Sequence, residues 1–433
     1  MSLALILVLV ILFAMLIIGS PVVFAIGTAA ASYFLVKPGM LSELLVYPHK
    51  FFTGMDSFVF LCIPLFTLSG ELMSQTGMMS KMVEFCQLFV GRLRGGMAYV
   101  NVLASMLFGG VSGSGLADVA ALGPIEVQMM KEDGYDADFA AALTASSAIQ
   151  GPIIPPSIPM VIYASLTNAS VGALFLGGLI PGMLIGCGQM LIISLMAKKR
   201  GFPKRDFKIS AREKISVIWT ASSALLMPLI IIGGIISGVF TATEASAVAV
   251  FYALIVGVFF YRNITPKSLF EALKKTARTS ASIYLIIAFT GIVSWILAME
   301  GVPSMISTFV VAHNLSPYLL LFFANIFFLF NGMWISDTAQ LILFAPIFAP
   351  IFVQMGISTV HFGVVMVVNV MISMITPPYG TALYLAAGLT GSPLKKIVKE
   401  VLPFLCSSIL VLFLITYFPA IVLTVPRLFG MIP

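Results

Sequence analysis

Apolar runs of membrane-spanning length recur along the chain, at 3–18, 20–36, 57–76, 138–165, 171–197, 215–238, 243–261, 280–299, 361–388 and 400–425. A bilayer core takes about 20 predominantly apolar residues per helix, so each run predicts a crossing. Two further apolar regions, 97–130 and 317–354, are interrupted halfway by small or polar residues, GGVSGSGLAD (109–118) and NGMWISDTA (331–339). Each is too long for one helix and too interrupted for two ordinary crossings. A re-entrant helical hairpin that enters and leaves on one side fits both. Residues 41–53 and 265–280 mix charge with apolar positions and read as interfacial or simple connecting helices.

Two of the crossings are broken at mid-depth. Residues 146–159 read SSAIQGPIIPPSIP, and residues 370–384 read VMISMITPPYGTALY. Each Pro lacks a backbone N–H, and an interior helix Pro costs about 3 kcal/mol. In lipid the freed carbonyls cannot turn to water. A break there survives where its carbonyls meet an ion or a polar ligand, or as a kink packed against neighbouring helices. The two breaks stand in register. Pro155 and Pro377 lie 222 apart, as do Ser170 and Ser392, and Pro181 and Pro403. Upstream the offset is 224, for Gly77 with Gly301, Asn101 with Asn325, and Ser112 with Ser336. Interrupted hydrophobic segments at matching places in two halves point to a transporter binding site.

The predicted fold class is an all-α polytopic membrane protein of two inverted repeats, each of five spans plus one re-entrant hairpin. The first covers 1–197, with its hairpin at 97–130 and broken helix at 138–165. The second covers 215–433, with its hairpin at 317–354 and broken helix at 361–388. A linker at 198–214 carries eight basic residues and reads as cytoplasmic. Counting spans from it puts Arg92, Arg94, Lys131, the 262–278 segment, Lys395, Lys396 and Lys399 on the same side. Lys37, Lys50 and Arg427 are the exceptions. Both termini then lie outside, and the odd span count gives the halves opposite orientations. Residues 1–18 lack a basic leader and a small-residue cleavage site, so they read as a retained span.

Composition agrees: the 433 residues are 60% hydrophobic and 9% charged, outside the soluble range. Cys62, Cys86, Cys187 and Cys406 sit singly in apolar segments, so neither disulfide nor metal is implied. His49, His313 and His361 form no zinc motif, and no transition metal is expected. No nucleotide loop and no hydrolase motif is present, so no catalytic residue, organic cofactor or nucleic-acid partner is expected. Transport energy must come from an ion gradient or from another subunit.

The first hairpin tip offers Gly109, Gly110, Gly113 and Gly115 for close backbone approach, with hydroxyls from Ser112 and Ser114. Ser114 or Asp118 can cap the outgoing half-helix. Hard oxygens from hydroxyls, carbonyls and a carboxylate suit a small cation such as Na⁺. The carbonyls of Gly151 and Ile153 can complete such a site if the tip meets the break. Small residues that merely permit tight helix packing are the alternative. The second tip has Asn331, Gly332, Ser336, Asp337 and Thr338, facing Met374, Thr376, Pro377 and Pro378. A carboxylate inside a membrane segment is a functional hypothesis by default, and Asp337 carries it most sharply. Its rival is a headgroup or internal partner. Glu71, Glu126 and Glu244 read as packing or capping residues.

Five motifs in order, GGVSGSGLADVAALGPI (109–125), SSAIQGPIIPPSIPMVIYAS (146–165), GVFTATEASAVAV (238–250), NGMWISDTAQLILFAPI (331–347) and MITPPYGTALYLAAGL (374–389), resemble the large membrane subunit of tripartite ATP-independent periplasmic (TRAP) transporters. The resemblance covers essentially the whole chain. It implies a bacterial inner-membrane permease driven by Na⁺, accompanied by a small four-helix membrane subunit and a periplasmic substrate-binding protein. It also implies an elevator mechanism, in which a transport domain of both hairpins and both broken helices slides against a scaffold. The implied substrates are organic acids: C4-dicarboxylates, keto acids or sialic acid. By matching motifs, Ser112 with the carbonyls of Gly151 and Ile153 is expected to bind one Na⁺. Gly332 and Asp337 with Met374 and Thr376 are expected to bind another. The carboxylate substrate is expected near Ser114, Ser157, Thr338 and Tyr379, where half-helix dipoles favour it. Two other readings compete: a stand-alone Na⁺/dicarboxylate symporter of similar fold, and a membrane-embedded enzyme, for which Asp118 and Asp337 are the only plausible pair.

Overall fold

The computed structural model describes residues 2–204, 210–313 and 315–432. Residues 205–209 of the basic linker therefore lie outside the described residues. The chain is helical, with no strand among the described residues. In order the helices are α1 (Leu3–Ile17), α2 (Val22–Val36), α3 (Val46–Met55), α4 (Cys62–Gln75), α5 (Met78–Val90), α6 (Gly96–Ser112), α7 (Gly115–Ala121), α8 (Gly123–Glu132), α9 (Ala137–Ser147), α10 (Ile158–Thr167) and α11 (Val171–Lys199). After the linker come α12 (Ala211–Ile236), α13 (Ala242–Ile255), α14 (Pro266–Met299), α15 (Val302–Ala312), α16 (Pro317–Asn331), α17 (Asp337–Gln354), α18 (Thr359–Ser373), α19 (Thr381–Thr390), α20 (Leu394–Tyr417) and α21 (Pro419–Leu428). Seven helical segments among the described residues are long and apolar enough to cross a membrane, so this is a multi-pass membrane protein.

The local chemistry explains most boundaries. Both interrupted crossings break where the prolines stand: α9 gives way to α10 through residues 148–157, and α18 to α19 through 374–380. The Pro155–Pro156 and Pro377–Pro378 bonds are both cis. Four elements differ from expectation. The segment 265–280 is not a separate interfacial helix; it is the first half of α14, because no Pro or Gly interrupts the chain between Lys267 and Thr290. The run 400–425 divides into α20 and α21 at Phe418, where Pro419 pushes the preceding residue out of the helical region, to φ −117° and ψ 78°. Helices α5 and α15 are additional. Helix α5 starts after Gly77, at φ 74°, and buries Met78, Met79, Met82, Val83 and Cys86 on one side. Its length of 13 residues and its exposed Lys81–Glu84 pair kept it from reading as a crossing.

The helices pack as two groups. Helices α1, α2, α3, α4, α13 and α14 contact one another in a chain that runs α1 to α2, α2 to α14, α3 to α14, α14 to α4 and α4 to α13. Helices α9, α10, α11, α17, α18, α19, α20 and α21 form the second group, with α9 against α19 and α20, and α10 against α17 and α18. The first half of each broken crossing is its innermost part. Residues 139–147 of α9 are buried without exception, as are residues 360–373 of α18. What keeps them inside is their polar residues, Thr144, Ser146 and Ser147 in α9 and His361, Asn369 and Ser373 in α18, which lipid would leave without partners. Between the groups, α4 and α14 line a cavity together with the two hairpin tips, and Gly70 of α4 packs directly against Ser112.

Candidate functional site

Helix α6 ends at Ser112 because Gly113 turns the chain at φ 61°. Gly113 sits against the Pro156 carbonyl, where a Cβ would come within 2.6 Å. The Gly113 carbonyl also accepts the Ile158 N–H at 3.3 Å. The first tip is thus seated directly in the first break. The seat is made for small residues: a Cβ on Gly109 would reach the Gly151 Cα at 2.5 Å. On the other side of Gly151 lies the Asp118 carboxylate, so close that any Cβ on Gly151 would overlap its Oδ2.

Asp118 is buried in α7, with Oδ1 accepting a hydrogen bond from the Ser112 hydroxyl. Its Oδ2 has no hydrogen-bond partner. No N–H among the described residues donates to the carbonyls of Gly151 or Ile153. A buried carboxylate oxygen without a partner is costly, and oxygens gathered around it suit a cation. The donor set of Ser112 Oγ, Asp118 Oδ2 and the Gly151 carbonyl therefore fits Na⁺. The Ile153 carbonyl lies against Gly178 of α11 instead. Ser114 precedes α7 without a side-chain cap bond, so the expected capping role is not taken by its hydroxyl.

Behind the seat a polar network runs between α6, α8 and α9. Asn101 Nδ2 donates to Glu126 Oε2 at 2.9 Å and to Thr144 Oγ1 at 2.8 Å. The Ser147 hydroxyl donates to Asn101 Oδ1 at 2.8 Å, and the Ser105 hydroxyl donates to Ser147 Oγ at 3.0 Å. Gln150 and Gln189 bind each other at 2.7 Å, and Gln189 donates to the Ser146 carbonyl. Glu126 joins this network through Oε2 rather than being a mere packing residue, while its Oε1 is buried without a hydrogen-bond partner. The signal was in the spacing: Asn101, Ser105, Gly109 and Ser112 recur every three or four residues, on one face of α6.

The second tip is built similarly but stands more open. Gly332 ends α16 against Ser373, the last residue of α18. Asn369 holds Asn325 at 2.9 Å, and Asn325 in turn holds Thr416 at 2.9 Å. Asp337 begins α17, half-buried, and lines the cavity with Ser336 and Thr338. The Met374 carbonyl accepts the Ala382 N–H at 3.1 Å, and the Thr376 carbonyl accepts the Gly380 N–H at 3.0 Å. Each keeps one further lone pair. Met374 also reaches across to the first tip, where its methyl lies against Gly115.

The cavity between the groups has a volume of about 710 Å³. Ser112, Ser114, Asp337 and Thr338 all line it. Ser157 does not: it is buried, it caps α10 by accepting the Met160 N–H at 3.2 Å, and it donates to the Pro152 carbonyl. Tyr379 lies outside the lining, exposed, its ring 6.4 Å from that of Tyr384. Asp118 also lies outside the lining, so the structure does not bring it together with Asp337 in the cavity. The lining is completed by Glu71 from α4, with Lys275 and Arg278 from α14. These charges belong to helices that read as a span and an interfacial segment, and only the fold turns them toward the tips. No cluster of three His, Cys, Asp or Glu capable of holding a metal occurs among the described residues.

A family profile described as "Tripartite ATP-independent periplasmic transporter, DctM component" matches residues 9–421. The chain is 41% identical over 376 residues to the sialic acid TRAP transporter large permease protein SiaM of Vibrio cholerae, covering 87% of this chain and 88% of that one. It is 37% identical over 404 residues to the C4-dicarboxylate TRAP transporter large permease protein DctM of Pseudomonas aeruginosa, covering 93% and 94%. Among solved structures, the Alcanivorax borkumensis YdaH transporter shares the fold, with a TM-score of 0.63 at 15% identity, over 89% of this chain and 90% of that one.

Proposed function

This chain belongs to the DctM component family of tripartite ATP-independent periplasmic transporters, and from that membership we propose that it is the carrier of a Na⁺-coupled uptake system for a small organic acid. It is a permease of the inner membrane and not an enzyme. The proposed substrate is a carboxylate of the sialic acid, C4-dicarboxylate or keto acid class. The first two are the classes named for its relatives. A periplasmic binding protein delivers it, and a small four-helix membrane subunit accompanies the permease.

The observation that carries the reading is the seat of the first tip. Asp118 Oδ2 is buried without a partner beside the Gly151 backbone and Ser112. Na⁺ supplies the charge that the carboxylate calls for. Asp337 with the remaining lone pairs of Met374 and Thr376 makes the second site. The acid lies between the two tips, near Ser114 and Thr338. In the proposed cycle α9, α10, α18, α19 and both hairpins move together against α2, α4, α13 and α14. This is an elevator built from inverted repeats at 1–197 and 215–433. The basic linker is cytoplasmic and both termini are periplasmic.

The test is uptake into proteoliposomes holding the permease, its small subunit and its binding protein. Sialic acid and succinate are offered with and without an inward Na⁺ gradient. Accumulation that needs both the gradient and the binding protein is expected. Full accumulation by the permease alone would favour a stand-alone symporter, and gradient-independent accumulation would remove the coupling ion.

A further inference from the structure

The cavity wall formed by α14 has a charge left over. Helix α14 presents Lys275, Arg278, Thr279, Ser282, Ile283 and Ile286 to it, spaced by three and four residues along one face. Lys274 and Lys267 of the same helix are not in the lining. Lys275 Nζ is paired with Glu71 Oε2 at 3.2 Å. Arg278 is exposed in the cavity, and no carboxylate among the described residues lies within ion-pair distance of it. Arginine stays charged under all conditions that proteins meet, and its planar fork of donors matches the two oxygens of a carboxylate. From Arg278 the α14 face runs about 12 Å, at 1.5 Å per residue, to the apolar Ile286. The cavity therefore has a cationic end on α14, an apolar flank, and a tip end where Ser112, Ser114 and Thr338 stand with the carboxylate of Asp337, which a bound cation has to offset before an anion is held there.

We propose that Arg278 is an anion-binding residue of the transport pathway, which takes the carboxylate of the acid from the hairpin tips. The inference deepens the transport reading and rests on it. Its companion Lys275, already neutralised by Glu71, positions the wall and does not compete for the anion. A carboxylate is common to sialic acid and the C4-dicarboxylates, so Arg278 reads the acid group and leaves selection of the body of the molecule to other residues. A residue placed only to hold lipid phosphate at the membrane edge would face outward and would be indifferent to the acid.

The measurement is calorimetric binding to the purified permease with its small subunit, using sialic acid and its neutral methyl ester, and succinate and its dimethyl ester. Wild type is expected to prefer each acid over its ester. In Arg278→Gln that preference should fall about tenfold, the equivalent of 1.4 kcal/mol, with ester binding unchanged. Arg278→Lys keeps the charge without the fork and should fall between. Thermal stabilisation by Na⁺ should be the same in all three proteins, which separates a lost anion contact from a damaged fold. An undiminished preference in Arg278→Gln, or an equal loss of acid and ester binding, would overturn the assignment of Arg278 alone. Failure of wild type to bind or accumulate any acid, with pyruvate and its methyl ester offered beside these two, would overturn the transport reading and this inference together.

Discussion

At the residue scale, the site depends on one glycine. Gly151 packs against both Gly109 of the tip and the Asp118 carboxylate, and the carboxylate leaves it room for no side chain. Asp118 cannot simply retreat, because the Ser112 hydroxyl holds its other oxygen. Gly151→Ala should therefore displace the carboxylate from the break and weaken the apparent Na⁺ affinity of uptake about tenfold or more. Surface expression should stay close to wild type. Initial rates against external Na⁺ test this, and an unchanged curve would detach Gly151 from ion binding. Ser112, Ser114 and Asp337 were legible in the sequence as polar residues stranded inside apolar segments. Arg278 and Glu126 were not, because each sits in a helix where a charge has an ordinary explanation. Which way it faces is decided by packing between helices distant in the chain.

At the element scale, the breaks and hairpins were readable because Pro and Gly act locally. Each removes a donor or frees a turn wherever it stands. The junction of residues 265–280 with the span at 280–299 is not readable in the same way, since the charge at 267–278 resembles a boundary while nothing there stops a helix. Helix α14 is tied down at both ends: to α4 by Lys275 and Glu71, and to α2 by Lys37 and Glu300 at 2.6 Å. Glu300 lies just beyond the end of α14. The hydrogen bond from Lys37, with lesser ones from Ser2 and Tyr33, holds its carboxyl at about 2, below its ordinary 4.5. A depressed carboxyl stabilises the fold fully above the ordinary value, and the contribution is lost as pH falls through the folded value. Lys37→Met should thus lower the melting temperature of the purified protein at pH 7, and the deficit should shrink as pH falls from 4.5 toward 2. A deficit independent of pH across that window would show that packing, and not the ion pair, ties α14 to α2.

At the scale of the whole molecule, two helix groups meet at a cavity whose walls differ in kind. One wall is made of hairpin tips, which bring Ser112, Ser114, Ser336, Thr338 and the carboxylate of Asp337; the other is made of continuous helices, which bring Glu71, Lys275 and Arg278 among hydroxyls of their own. That division suits a carrier in which one wall moves against the other. In the proposed topology the basic residues set its orientation. A cysteine at Lys199 should be labelled by an impermeant thiol reagent only after the cells are opened, since the helix end leads into the basic linker. Labelling in intact cells would invert the topology. The most direct test of the central claim, two cation sites that drive one carrier, is the steepness of uptake against external Na⁺ in reconstituted permease with its small subunit and binding protein. The wild-type Hill coefficient should approach about 2, and in Asp118→Asn and Asp337→Asn it should fall to about 1 as one site is lost in each. Wild-type steepness and midpoint in both variants would contradict the account and leave the two carboxylates structural.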